Sequence, residues 1–295
     1  MSADPRDPAR VGARHHVLFG YVGTGRGGSY VSSAMLVEGL RKRGHRVDVW
    51  VPHPSAHTRM LDARGVDYAC YLNRRDLAKA PLTTWGRAAR VAYYLRTLPA
   101  TLRVLRRTRP DIVHVNDGPS CLVWGAAAWL TGVALVWHVR VDIPGNLADR
   151  VRLRLADRLV FVAHAIRQRF QTAHSAASVT VVNGVDTCGN TPLADRSGIR
   201  AELGLPADAC VLGFVGTLNA TKRPAWAIEA LVQARATNSA AYLVLVGADE
   251  DGGATAARLR AQAEEAGVAE AVHLAGYRSD VPRLLPAFDL LLLPS

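Results

Sequence analysis

The 295-residue chain predicts an α/β protein: two Rossmann-like, doubly wound parallel-sheet domains facing each other across a cleft, the second one incomplete. Three observations predict this. Two strand–glycine–helix openings recur far apart, one over residues 16–28 with Gly23, Gly25, Gly27 and Gly28, the other over residues 210–224 with Gly216 and Lys222. Short Val/Leu-rich runs alternate with segments of helical period along the whole chain, the signature of a parallel sheet with right-handed crossovers and helices on both faces. Finally, 49% hydrophobic and 21% charged residues describe a globular chain, long enough for two domain cores.

The elements follow in order. A strand is expected over 17–21, then a helix over 29–43 with Met35, Leu36 and Leu40 inward. Gly44 ends that helix and a second strand covers 46–51. Pro110 precedes a strand over 111–115. The apolar run 121–139 approaches membrane-spanning length, but Thr131 and Gly132 divide it into a small-residue helix and a Val-rich strand over 133–137, so a buried helix–strand unit is preferred. A strand over 159–162 follows. Texture changes where the run Thr180 to Val182 meets Asn183 and Gly184 and then the turn formers 188–192, which sets the domains at 1–180 and 181–295. Strands over 211–215, 242–246, 271–274 and 289–293 then alternate with helices over 226–235, 254–266 and 281–287. A doubly wound domain ordinarily continues past such a last strand, so the second domain is expected to be truncated at Ser295.

Charge narrows the partners. Lys and Arg number 36 against 25 Asp and Glu, a net charge of +11, which favours phosphate groups or an anionic membrane surface. Nucleic acid is excluded as a partner because no RNA- or DNA-reading module accompanies the charge and aromatics make up only 6%. Scattered Cys70, Cys121, Cys188 and Cys210 form no CxxC pair, and the polar N-terminus lacks a signal peptide's apolar core. A cytoplasmic protein is expected. Residues 87–109 carry Val91, Tyr94, Leu95, Leu98, Leu102 and Leu105 at helical spacing, with Arg87, Arg90, Arg96, Arg103, Arg106 and Arg107 around them and Pro99 expected to break or kink the segment. This basic helix is either a solvated face, the weightier alternative, or a device for peripheral docking at the inner face of the cell membrane.

Several residues are placed for chemistry. Gly216 to Lys222 joins a glycine turn, a helix N-terminus and a cation, which reads equally as a diphosphate-binding turn or as a solvated lysine in an ordinary strand–helix loop. Gly23, Gly25 and Gly28 satisfy GxGxxG, but the next strand ends at Trp50, Val51 and Pro52 without the acid a nicotinamide site needs. His138 follows a strand at the carboxyl edge, where such sheets place ligands, and an imidazole there can hydrogen-bond a ligand or, at an ordinary pKa, exchange protons. His114 and Asp117 reach the same edge, with a structural role the better reading, and Asp142 lies just beyond. The DxD-like pair Asp249 and Asp251 is read as a solvated loop and assigned no metal.

The motifs at 182–186, 213–222, 243–247, 272–277 and 289–295, in this order and spacing, resemble the retaining family 4 glycosyltransferases of GT-B architecture. The resemblance spans most of the chain and is best in its C-terminal half. It implies sugar transfer from a nucleotide sugar, UDP- or GDP-linked, to a glycan or lipid-linked acceptor, with retention, no metal and no cofactor beyond that co-substrate. It assigns the donor diphosphate to Lys222 and places Thr217 where many members carry an arginine. Gly27 and Gly28 match the glycine loop over the donor, and His138 matches a histidine beside the reacting sugar. The family's paired glutamates would follow Ser295. The alternatives are an epimerase or hydrolase of the same fold, or a non-catalytic membrane-associated module.

Overall fold

The computed structural model describes residues 13–24, 27–72, 86–140, 147–170, 177–185, 195–249 and 251–295. The chain divides into two compact units, Met1–Gly184 and Val185–Ser295.

The first unit runs β1 (His16–Gly20), α1 (Gly28–Lys42), β2 (Arg46–Val51), α2 (Ala56–Ala63), β3 (Ala69–Cys70), α3 (Arg87–Thr108), β4 (Ile112–Val115), α4 (Gly118–Thr131), β5 (Ala134–Val139), α5 (Leu147–Leu155), β6 (Arg158–Phe161), α6 (His164–Phe170) and β7 (Ala177–Thr180). Its strands form one sheet in the order β3-β2-β1-β4-β5-β6-β7, and every pairing is parallel. Strand alternation sends successive residues to opposite faces. Leu18, Val113, Val115, Leu135, Trp137 and Val139 join the core that α3 and α4 cover, whereas Val17 and Phe19 join the core under α1 and α2. Trp124 of α4 is fully buried and lies so close over Gly20 that a Cβ there would overlap its ring.

Gly132, in the left-handed region at φ 71°, ends α4. The run 121–139 is thus a helix followed by a strand. Among the described residues no helix is long and apolar enough to cross a membrane.

Three expectations are corrected here. The inner face of α1 is Ser33, Ala34 and Val37, with Leu36 and Leu40 packed at its margin. Pro99 does not end the basic segment, because α3 continues unbroken from Arg87 to Thr108 around it. The helix also turns differently from its apolar spacing: Tyr93, Ala100, Val104 and Leu105 are buried with Thr97 and Thr101, while Val91 and Leu95 are exposed. A helix packed between a sheet and its neighbour α4 buries the stripe those partners present, and small and hydroxyl-bearing residues fit it closely.

The second unit runs α7 (Arg196–Glu202), β8 (Cys210–Val215), α8 (Pro224–Arg235), β9 (Ala241–Val246), α9 (Ala254–Glu265), β10 (Val272–Gly276), α10 (Val281–Leu284) and β11 (Leu290–Leu292), with 3-10 turns at Ala269–Ala271 and Leu285–Ala287. The four parallel strands are ordered β10-β9-β8-β11. Leu212, Phe214, Leu243 and Leu245 pack under α8 and α9. Val211, Val244 and Val246 pack with Ile199, Leu284 and Phe288 on the other face. Asp289, at the start of the last motif, proves structural. Its carboxylate accepts from the Val211 N–H at 2.7 Å and from Arg200 Nη2 at 2.7 Å, and it also pairs with Arg196.

Candidate functional site

The carboxyl edge of the first sheet holds a buried polar network that no single motif announces. Phe19, His114 and His138 point to the same sheet face, that of α1, and the His114 ring packs 4.4 Å from Phe19 and edge-on to His138 at 5.6 Å. His138 is the fifth residue of β5, inside the strand, where the sequence suggested a position just after it. One residue past that strand, Arg140 ties four segments together. Its Nε donates to Asn116 Oδ1 at 3.0 Å, its Nη1 to Ser32 Oγ at 2.8 Å and to Asn183 Oδ1 at 2.9 Å, and its Nη2 lies 3.2 Å from His138 Nδ1. Asn116 in turn donates to Ser33 Oγ at 2.8 Å, and Ser33 meets the Tyr21 hydroxyl. Asn183 belongs to the motif 182–186, and its partner here is Arg140.

Burial governs the protonation of these groups. Desolvation, with the adjacent Arg140 charge, pushes His138 down to about 3. His114 is held well below the usual imidazole range, by burial first and then by its neighbours His138 and Arg140. Both rings are therefore neutral near pH 7, which at His138 suits hydrogen bonding to a ligand, one of the two roles expected of it, better than proton exchange, the other. His138 Nε2 and His114 Nδ1 are buried without a hydrogen-bond partner among the described residues. Asp117 serves as the N-cap of α4: its carboxylate accepts from Ser120 N at 2.6 Å and Ser120 Oγ at 2.9 Å. Asp142 lies outside the described residues.

The helix that follows the glycine loop begins bare. Gly27 is the N-cap of α1, no side chain caps that end and its first turn has no acid. Among the described residues a Cβ built at Gly27 or Gly28 would meet nothing within 4 Å, so their packing does not demand glycine at either position.

In the second unit, β8 ends at Val215 and the chain turns through Gly216 and Thr217 toward α8. Gly216 N donates to Val246 O and Leu218 N to Ala248 O, each at 2.9 Å, so the turn is pinned to the end of β9. Gly247 makes this approach feasible, because a Cβ there would collide with the Gly216 carbonyl. Asn219 Oδ1 accepts from Lys222 N at 3.0 Å, and Arg223 takes the left-handed conformation at φ 51° before Pro224 opens the helix without a side-chain cap. Lys222 is exposed. Its Cδ would stand 3.9 Å from a Cβ on Gly216, so the aliphatic stem passes over the glycine turn. No carboxylate pairs with its ammonium among the described residues. Arg223 instead stacks on Trp226, 4.6 Å from the ring centroid. Thr217 adds no charge. An uncapped helix N-terminus, a glycine turn and an unneutralised ammonium together form an anion-binding arrangement.

The acidic pair at 249 and 251 is a capping device. Asp249 accepts from Asp251 N at 2.8 Å and Ala256 N at 2.7 Å, and these bonds hold its carboxyl below the usual range. Asp251 accepts from Thr255 Oγ1 at 3.0 Å.

Comparison with known proteins bears on these two edges. Residues 26–188 match the family model described as Glycosyltransferase Family 4, and residues 195–295 match that described as Glycosyl transferases group 1. A D-inositol 3-phosphate glycosyltransferase of Acidothermus cellulolyticus is 40% identical over a match covering 72% of this chain and 57% of that protein. A UDP-N-acetylglucosamine–N-acetylmuramyl-(pentapeptide) pyrophosphoryl-undecaprenol N-acetylglucosamine transferase of a Polaromonas species is 31% identical over 52% of this chain and 39% of that protein. The chain thus spans about half the length of these relatives or less. Among solved structures, the Anabaena HepE protein in complex with UDP and glucose superposes with a TM-score of 0.77 at 22% identity, covering 94% of this chain and 73% of that one. The likeness shows a common two-sheet GT-B fold.

Proposed function

The chain belongs to glycosyltransferase family 4, and we propose that it transfers a sugar from a nucleotide-sugar donor to an acceptor hydroxyl, with retention at the anomeric carbon and without a metal. The observation that carries this is the second-unit loop, where Lys222 crosses Gly216 in front of an uncapped helix. Breaking a glycosyl–diphosphate bond leaves negative charge on the departing diphosphate. Donors already aimed at that charge stabilise it in the transition state, with no reorganisation at the moment of reaction. Lys222 supplies the full charge and the start of α8 the positive dipole end together with the Ala225 N–H, since Pro224 carries no N–H and the Trp226 N–H bonds the Arg223 carbonyl at 3.1 Å. On the family resemblance Thr217 stands where an arginine is expected, which leaves Lys222 with more of this task.

The family resemblance assigns sugar contacts to residues of the first unit. Gly27 and Gly28 leave room for a ligand against the start of α1, and His138 offers a neutral ring nitrogen at the sheet edge. The HepE neighbour was solved with UDP and glucose, which makes a UDP-sugar the first donor to test and GDP-sugars the second. The acceptor is a hydroxyl of a glycan or a lipid-linked glycan, and the Acidothermus relative adds D-inositol 3-phosphate to the candidates. Work in the cytoplasm, with α3 beside an anionic membrane surface, fits the charge of that helix.

The test is direct. The full chain is incubated with each nucleotide sugar and an acceptor panel, with and without EDTA, and the products are read by mass and by NMR of the anomeric proton. The proposal expects an acceptor-linked sugar with the donor's anomeric configuration, formed equally with chelator. An inverted product, or a donor converted without any acceptor being glycosylated, would overturn it.

A further inference from the structure

We infer that Arg140 is a positioning residue that fixes His138 in its Nε2-protonated tautomer, so that His138 presents an N–H donor at the edge of the first sheet. A guanidinium carries only donors. With Arg140 Nη2 lying 3.2 Å from His138 Nδ1, that nitrogen must accept, and the single ring proton of the neutral imidazole resides on Nε2. The other tautomer would set two N–H groups against each other.

Arg140 cannot swing aside to relieve such a clash. Four of its five N–H groups are engaged, on acceptors from α1, from the end of β4, from β5 and from the residues after β7. The orientation of Asn116 is set as well, because its amide nitrogen donates to Ser33 and leaves its oxygen for Arg140. No carboxylate pairs with Arg140 among the described residues, so its charge stays unneutralised beside the ring and works against a second proton there. The same count argues against Arg140 as a grip for an anionic ligand, since one N–H alone remains.

The consequence lies at Nε2. That atom is buried and has no hydrogen-bond partner among the described residues, and leaving a buried donor unpaired is costly. A donor left unsatisfied at a ligand-binding edge is complementary to a ligand oxygen. On the reaction proposed above that oxygen is a hydroxyl of the transferred sugar, whereas the tautomer itself depends on the protein alone.

The measurement is a long-range 1H–15N spectrum of the uniformly 15N-labelled full chain near pH 7, with the His138 signals assigned by their loss in His138→Gln. The expected pattern is one tautomer, with Nδ1 in the unprotonated range and Nε2 in the protonated range. In Arg140→Met the two nitrogens should move toward each other as the tautomers mix. A wild-type ring protonated on Nδ1, or a folded Arg140→Met protein with an unchanged pattern, would overturn the inference. Should Arg140→Met fail to fold, the wild-type spectrum alone decides. A wild-type ring locked as expected in a protein that transfers no sugar would sink the proposed reaction and leave this inference standing.

Discussion

His57 shows how much one buried side chain imposes on the protein. It is fully buried, both ring nitrogens lack a partner among the described residues, and it packs edge-on against Tyr21 at 4.4 Å and Tyr30 at 4.6 Å. Desolvation pushes it down to about 4. The unfolded chain therefore binds a proton near the ordinary value of about 6.5 that the folded protein refuses until about 4. Stability is complete above about pH 6.5 and is lost as the pH falls toward 4, at about 1.4 kcal/mol per pH unit from this group. His114 and His138 shift in the same direction. Denaturant unfolding at pH 7, 6 and 5 should show stability falling with acidity, and in His57→Leu the fall should be shallower by about one proton's share. Parallel pH profiles for the two proteins would contradict this. At this scale the sequence was only partly legible. Lys222 and His138 could be singled out because each sits in a local strand–turn–helix context. Arg140 could not, since its partners Ser32, Asn116 and Asn183 are brought to it only by the sheet order.

The order of strands and helices could be read almost throughout, because period and glycine placement are local signals. α2, α7 and the strand β3 escaped notice because, at eight, seven and two residues, they are too short for a period to show. α3 is the instructive miss. Proline removes one helix hydrogen bond and crowds the preceding turn, and it costs roughly 3 kcal/mol against alanine in a helix interior. Yet α3 persists through Pro99, because Tyr93, Ala100, Val104 and Leu105 are buried on both sides of it. Thr97 and Thr101 also donate back to the carbonyls of Tyr94 and Leu98, at 3.0 and 2.9 Å. Tertiary packing has overridden local propensity. Since Pro99 itself is exposed, Pro99→Ala should raise stability by about 1–2 kcal/mol, the gain in the helix being offset in part by greater freedom of the unfolded chain. Thermal melts would register this as a higher Tm, and an unchanged or lower Tm would count against it.

Across the whole molecule, each unit is a parallel sheet with a core on either face, and each carries candidate site residues at the carboxyl edge of its strands, where doubly wound sheets bind ligands. In the second unit that edge carries Lys222 and the bare start of α8, and a net charge of +11 adds a long-range attraction for anionic ligands. A charge-assisted hydrogen bond contributes about 1.5–3 kcal/mol, or roughly a 10- to 100-fold change in affinity. The decisive measurement is calorimetric titration of UDP into the full chain and into Lys222→Ala. The account predicts that UDP binds the wild type and binds the variant at least about 10-fold more weakly. Equal affinity in the two proteins, or no binding of UDP to the wild type at millimolar concentration, would contradict it.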